Sequence, residues 1–522
     1  MSEALSVSSL IGIVGAGAMG TGIAQVAALA GHKVALYDID PAAAEKGRKQ
    51  IVHDVSNLIE RGKLAPGAEA RVKDGVFTVT RLDAFRHASL VIEAAAEQLD
   101  LKRQIFGELE GWVSRDCILA TNTSSISVTA IAAILEAPER AVGMHFFNPA
   151  TRMALVEVVT GLVTAPGIAQ TVYDTAVAWG KIPVRARSTP GFIVNRVARP
   201  FYAEAFRLLN EQAAEPASID ALLRDSGFPM GPFELMDLIG HDVNFAVTES
   251  VFCAYFGDPR FTPSLIQREL VDAGRFGRKS GRGFYDYVSK EPVPCAQTEP
   301  AADRPITIRL SRQPGPVGRL QQLLRDAGSP VDDVTSVARS PQVVAEIDNA
   351  LLLLTDGRTA TECARTLGTD NVVMVDVALD FSKTRTIAVA RALRCSDVAY
   401  RAVVGALQNC GMSVVAIRDV AGMVVMRTVA MLVNEAADAV NQGVCSAADL
   451  DRAMTNGVNY PVGPIGMSDV VGVPLVFRVL RNLASHYGED RYRVSPLLAA
   501  HFWSGTSFNG HGSNCDAGSV AE

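Results

Sequence analysis

A chain of 522 residues with 48% hydrophobic and 20% charged residues is too long for one ordinary core, and usual domain sizes divide it into three or four units. A formal net charge of −7 with no run of five or more like charges disfavours a large electrostatic footprint for nucleic acid and points to a small-molecule ligand. No segment has the uninterrupted apolar run of about eighteen residues that spans a bilayer.

The N-terminal MSEALSVSSL lacks the basic start and long apolar stretch of a secretory signal. The eight cysteines are scattered without a CxxC or zinc spacing, as expected of free thiols in a reducing compartment. A cytoplasmic protein with no structural metal and no membrane or nucleic-acid partner is expected.

IGIVGAGAMGTGIAQVAALAGHKVALYDID, from Ile11 to Asp40, reads as strand, glycine turn, helix and strand, because short apolar runs flank a stretch with helical spacing. Strand-like runs recur at ASLVIEAA, CILATNT, AVGMHFF and ALVEVVTG, which predicts a mainly parallel, doubly wound α/β sheet of Rossmann type over residues 1–187. Residues 41–74 are about twice what one crossover helix needs and read as an inserted helical pair. From residue 188 to 288 long amphipathic helices punctuated by Gly and Pro predict an all-α domain. Residues 289–304 have the composition of a linker.

The helical domain then repeats. Gly191 matches Gly422, an offset of 422 − 191 = 231, and Gly180, Glu204, Asp220 and Gly257 match Gly411, Glu435, Asp451 and Gly488 at the same offset. After a one-residue slip Gly231-Pro232 and Gly240 match Gly463-Pro464 and Gly472. A second, degenerate helical domain is therefore expected over 418–503, following a reduced Rossmann-like unit over 305–417 and preceding a flexible tail over 504–522. The repeat keeps its apolar spacing and turns but carries Met426 where Asn195 stands. It is not expected to catalyse.

Gly15, Gly17 and Gly20 form GxGxxG, and Asp38 closes the second strand 18 residues later. In a dinucleotide site the first glycine permits the turn, the second lets backbone approach a pyrophosphate, and the third lets the helix pack on the strand. Asp38 suits both ribose hydroxyls and repels a 2′-phosphate, so NAD is favoured over NADP. The alternative is that Asp38 caps a helix starting near Pro41.

AVGMHFFNPATRMALVEVV holds the sharpest pairing. Its two strand-like runs are symmetric about Thr151, so His145 and Glu157 can face one another across the turn. A carboxylate there fixes the imidazole tautomer and stabilises the imidazolium formed when a proton is taken. A structural histidine beside a solvent-facing glutamate is the plainer alternative.

GIVGAGAMGTGIA, VIEAAAEQLDLK, TNTSS, MHFFNPATRMALVEVV, TPGFIVNR, GFPMGPFELMDLIG and GRKSGRGFYDY cover nearly all of residues 11–287, and together they resemble the L-3-hydroxyacyl-CoA dehydrogenase family. The resemblance implies NAD-dependent oxidation of an acyl-CoA substrate, with Ser124, His145, Glu157 and Asn195 at the matching catalytic positions. It also implies that Glu97, Lys102, Ser124 and Asn148 line the nicotinamide and substrate. Without it, Ser124 reads as a helix cap and Asn195 as a partner for a buried backbone group.

Arg48, Lys49, Arg61 and Lys63 are candidate partners for the CoA phosphates, or simply a solvated helix face. The long layout resembles the bacterial enzymes of phenylacetate breakdown, which implies 3-hydroxyadipyl-CoA or 3-hydroxybutyryl-CoA as substrate. In the shorter relatives, as the resemblance implies, helical domains of two subunits pack together; the second copy could supply that surface within one chain, and a homo-oligomer stays open. Two rival readings are an L-gulonate-type sugar-acid dehydrogenase and a non-catalytic NAD-binding protein.

Overall fold

Apolar runs of four to six residues, each followed by a helix with one buried face, can hide both faces of a sheet only if the strands run parallel under crossover helices. That arrangement fills the first part of the chain. The structure, a computed structural model, describes residues 3–289, 294–328, 330–334 and 341–508. Eight strands, β1 (Leu10–Val14), β2 (Lys33–Tyr37), β3 (Val76–Val79), β4 (Ala88–Glu93), β5 (Ile118–Thr121), β6 (Ala141–Phe146), β7 (Leu155–Thr160) and β8 (Ile182–Arg187), pair in the order β3-β2-β1-β4-β5-β6-β7-β8. All neighbours are parallel except β6 and β7. The chain reverses its direction of winding between β1 and β4, the place where open α/β sheets bind ligands. The expected insertion is two helices, Pro41–Glu60 and Gly67–Gly75.

The compact unit built on this sheet comprises Met1–Arg196 together with Gln442–Val458. The second stretch comes from the repeated helical domain. Its helix Ala447–Gly457 packs on β7 and β8. Arg187 N donates to the Val444 carbonyl at 2.8 Å, and Arg196 Nη1 donates to Gln442 Oε1 at 2.9 Å. A Cβ on Gly457 would stand 2.6 Å from Leu155 and 3.1 Å from Val194, so glycine is what lets this helix approach the strand.

The other unit, Val197–Asn441 with Asn459–Glu522, contains a mixed sheet. Its strands are β9 (Ile308–Leu310), β10 (Val331–Asp333), β11 (Val343–Ile347), β12 (Ala350–Leu354), β13 (Val372–Val375), β14 (Thr386–Arg391) and β15 (Ser413–Ala416), ordered β10-β9-β11-β12-β13-β14-β15. What is reduced is the crossovers: β11 and β12 form a direct antiparallel hairpin where a parallel pair would need a helix between them. The helix Pro216–Asp225 packs on β14, and Asp225 accepts from the Thr386 hydroxyl at 2.5 Å. At the repeat offset this is the counterpart of Ala447–Gly457 on the first sheet. Each helical copy thus lends its second helix to the other copy's sheet.

Helices Arg199–Asn210 and Val425–Asn441 pack together in this unit. Between them Arg427, 1% exposed, donates to Glu204 at 2.7 Å, to Glu211 at 2.9 and 3.1 Å and to the Tyr492 hydroxyl at 2.7 Å. Arg260 pairs with Glu435 and Asp438. Burying a guanidinium is tolerable only when its charge and donors are met in this way. Residues 294–304 carry no regular secondary structure and are tied down by Gln297 N to Ser218 Oγ, Glu299 N to the Val414 carbonyl and Ala302 N to Gln408 Oε1. Residues 290–293 of the expected linker, and residues 509–522 of the expected tail with Cys515, lie outside the described residues. The other seven cysteines are unpaired.

The repeat extends into the α/β part. At the offset of 231, His145 corresponds to Asp376 and Glu157 to Ala388. Asp376, fully buried, accepts from Val424 N and Val425 N at 2.9 and 2.7 Å and from Met426 N at 2.9 Å. Burial pushes its carboxyl up to about 6 against the pull of these N–H groups. A group whose pKa is higher folded than unfolded stabilises the fold at low pH and loses that contribution as pH rises through its folded value. The stability of the natural chain relative to Asp376→Asn should therefore fall by about 2–3 kcal/mol between pH 4 and pH 6.5. Urea denaturation across that range measures it; a difference independent of pH would mean that Asp376 does not titrate in the fold.

Candidate active site

The glycine turn joins β1 to the helix Ala18–Leu29. Gly15 has φ +103°, and a Cβ there would meet the Ala94 carbonyl at 2.6 Å; at Gly20 it would lie 1.8 Å from the Gly15 carbonyl oxygen. Gly17 differs, because a Cβ there would have no heavy atom within 4 Å. Two glycines close the turn, while the third faces open space. The helix that follows has neither a side-chain cap nor an acidic residue in its first turn, which leaves N-terminal N–H groups and the positive end of the dipole for an anion.

Asp38, just past β2, accepts from Ala16 N at 2.7 Å and from Asp40 N at 3.0 Å. The cap of the helix Pro41–Glu60 is Asp40, which accepts from Ala42 N at 2.9 Å, so capping does not account for Asp38. An acidic side chain held against the glycine turn, beside an uncapped helix end, fits the adenosine ribose and pyrophosphate of NAD.

The hairpin of β6 and β7 sets His145 opposite Glu157 in register. His145 Nδ1 lies 2.6 Å from Glu157 Oε2. The other oxygen, Oε1, accepts from Ile193 N and Val194 N, both at 3.0 Å. Those N–H groups are aimed by a left-handed pair, Gly191 at φ +74° and Phe192 at φ +47°. A carboxylate that already accepts two backbone N–H groups acts as an acceptor toward the ring, so Nδ1 carries the proton and Nε2 the lone pair. Glu157 is fully buried and His145 is 6% exposed. Phe147 and Phe192 pack against the imidazole with centroids 4.6 and 5.8 Å away.

Ser124, Glu97 and Lys102 form one network. Glu97 Oε1 accepts from Thr123 Oγ1 at 2.7 Å, from Ser124 N at 2.9 Å and from Ser124 Oγ at 3.1 Å. Burial would raise the Glu97 carboxyl, but the Lys102 charge and these hydrogen bonds outweigh it and hold it below the ordinary range. Lys102 is 1% exposed and sits 3.2 Å from Glu97 and 2.8 Å from Glu93. It lies beneath the surface and locks the two carboxylates together. The cap of the helix Val128–Ala132 is Ser127, which leaves Ser124 out of that duty. Asn195 Nδ2 donates to the Ser124 carbonyl at 3.4 Å, joining the end of the helical segment to the serine loop. Asn148 is exposed on the turn between β6 and β7.

Sequence reasoning missed three supports. Glu93, fully buried, binds Lys102 and accepts from Thr121 Oγ1 at 2.6 Å and Ala95 N at 2.7 Å. Asn122 Oδ1 receives Phe146 N at 2.8 Å, and Lys181 Nζ donates to the Met153 carbonyl at 2.9 Å. The signal for Glu93 was an acidic residue ending an apolar strand nine residues before a lysine. Among the proposed CoA partners, Arg48 pairs with Glu45 at 3.0 Å and Lys49 approaches the same carboxylate at 3.9 Å.

Residues 10–189 match the model of the 3-hydroxyacyl-CoA dehydrogenase NAD binding domain, and residues 191–287 and 422–511 both match that of the C-terminal domain. Residues 352–420 match the 3-hydroxybutyryl-CoA dehydrogenase reduced Rossmann-fold domain. The chain is 45% identical over 489 residues to the 3-hydroxyadipyl-CoA dehydrogenase of Escherichia coli K12, covering 94% of this chain and 96% of that protein. It is 41% identical to a probable 3-hydroxybutyryl-CoA dehydrogenase of Bacillus subtilis over 53% of this chain and 97% of that one. A crystal structure of 3-hydroxybutyryl-CoA dehydrogenase from E. coli K12 superposes with a TM-score of 0.87 at 43% identity, covering 96% of this chain and 99% of its own. With family models matching most of the chain and a relative 45% identical over 94% of it, the chain belongs to the 3-hydroxyacyl-CoA dehydrogenase family.

Proposed function

We propose that His145 is the general base with which this chain oxidises a 3-hydroxyacyl-CoA to the 3-oxoacyl-CoA, using NAD. The observation that carries the assignment is the 2.6 Å contact of His145 Nδ1 with Glu157. It leaves Nε2 to take the 3-hydroxyl proton, and Glu157 balances the imidazolium that results. NAD, when bound, supplies the acceptor for the electron pair leaving C3. Ser124 and Asn195, brought together through the Ser124 carbonyl, hold the substrate oxygens in position. Glu97 orients Ser124, and Lys102 fixes Glu97 from below. Gly15, Gly17, Gly20 and Asp38 hold the dinucleotide, and Asn148 stands at the rim of the site.

For the acyl group we favour 3-hydroxyadipyl-CoA over 3-hydroxybutyryl-CoA. The support is the full-length likeness to the E. coli protein named for the six-carbon diacid. A panel of 3-oxoacyl-CoA substrates at fixed NADH, with acetoacetyl-CoA, 3-oxohexanoyl-CoA and 3-oxoadipyl-CoA as arms and L-gulonate with NAD as contrast, tests this. The highest kcat/KM is expected for 3-oxoadipyl-CoA, and a preference for the uncharged six-carbon chain would overturn the diacid assignment.

His145→Ala should lower kcat for acetoacetyl-CoA reduction by about 10²–10⁴, with NADH affinity within about twofold of the natural chain. A loss smaller than about tenfold would remove His145 from the chemistry. Gly17→Ala should weaken NADH at least about tenfold while leaving the denaturation midpoint unchanged, because the added methyl carbon enters open space. Equal NADH binding would mean that the cofactor phosphates lie elsewhere.

A further inference from the structure

Strands β1, β4, β5 and β6 are neighbours in that order and run parallel, so their C-terminal ends form one edge of the sheet. The glycine turn leaves β1 at one end of this edge, and His145 stands near the end of β6 at the other. Neighbouring strands lie about 4.8 Å apart, which puts about 14 Å between the two. A dinucleotide with its pyrophosphate on the glycine turn and its ring offered to a hydroxyl beside His145 must lay the nicotinamide along that interval, over the ends of β4 and β5.

The interval is charged. Glu93 is the last residue of β4, in register with Val14 of β1 and Thr121 of β5. Both its oxygens accept from Lys102 Nζ, at 2.8 and 3.1 Å, and Glu97 lies 3.2 Å from the same nitrogen. These contacts use the three donors of an ammonium. The remaining partners of Glu93, Thr121 Oγ1 and Ala95 N, also donate to it, so it is an acceptor at every contact. Among the described residues no other Lys or Arg forms an ion pair with either glutamate. Two carboxylates on one ammonium leave one negative charge unbalanced.

Packing does not call for that surplus. Glu97 alone would neutralise Lys102, and a second carboxylate, fully buried at Glu93, adds a desolvation cost that charge balance does not require. Glu97 carries the network outward, since its side chain is 37% exposed while those of Lys102 and Glu93 are buried. What a surplus negative charge acts on at this edge is the nicotinamide, whose oxidised ring is a cation and whose reduced ring is neutral. In a site shielded from water the difference between those two rings is felt over several ångströms.

We propose that Glu93 is a positioning residue that sets the charge beneath the nicotinamide: it holds Lys102 against Glu97 and leaves the pair's surroundings net negative, which favours NAD over NADH in the site. This role rests on the nicotinamide being offered to His145, as proposed for the reaction.

Calorimetric titration of the full chain with NAD, NADH and ADP-ribose, which lacks the ring, tests it. In Glu93→Gln the ratio of the NAD Kd to the NADH Kd is expected to rise at least about threefold, with ADP-ribose affinity within about twofold of the natural chain. Glu93→Asp, which keeps the charge, should return the ratio to within about twofold of the natural value. Glu97→Gln removes the other carboxylate and should move the ratio the same way as Glu93→Gln; it carries the comparison should Glu93→Gln fail to fold. A purely structural role would weaken NAD and NADH alike. An unchanged ratio in the glutamine variants that fold, or an equal rise in Glu93→Asp, would overturn the proposal. His145 takes no part in these binding equilibria, so that result would leave its assignment as the base to be decided by His145→Ala.

Discussion

The proposed active-site corner depends on the three hydrogen bonds of one carboxylate. Glu157 faces His145 across the β6–β7 ladder with one oxygen and ties down Ile193 N and Val194 N with the other. The first bond fixes the imidazole; the second pair fixes the segment that carries Asn195. A strand supplies the rigidity, since residues facing across an antiparallel pair are set by register and not by side-chain rotamer alone. The left-handed backbone at Gly191 and Phe192 supplies the aim. The His145 ring and the Ile193–Val194 segment are therefore fastened by the same side chain.

The repeated half differs at the positions corresponding to this corner. Ala388 takes the place of Glu157, and the N–H groups of Val424, Val425 and Met426 would be left in a dry interior without an acceptor. Asp376, at the offset position of His145, receives all three. Buried N–H groups must be met by an acceptor wherever they occur. Met426, in place of Asn195, is fully buried, so the lost amide is a position absorbed into packing.

Much of the first sheet and its cofactor turn was legible in the sequence because each depends on local rules: short apolar runs, glycines at fixed spacing and an acid at a strand end. The His145 and Glu157 pairing was legible from symmetry about a turn. The exchange of second helices between the copies was not, because Ala447–Gly457 has the same apolar face whether it packs on its own sheet or another. The clue was Gly457, a glycine at a helix end that only a close approach to Leu155 explains. Asp376 was not legible for a different reason: the helices carry distinctive glycines and prolines that mark the offset, whereas the strands are runs of interchangeable valine and alanine. The burial of Lys102 depends on tertiary closure, which no spacing reveals.

The placement of Gln442–Val458 against β7 and β8 binds the two gene halves into one hereditary unit. A duplication whose products stayed side by side could lose either member without harm. Here Gln442, which braces Arg196, lies 246 residues downstream of it, and Gly457, which lies along Leu155, is 457 − 155 = 302 residues downstream. The repeated half differs at Met426 and Ala388, while its segment Gln442–Val458 is part of the first compact unit.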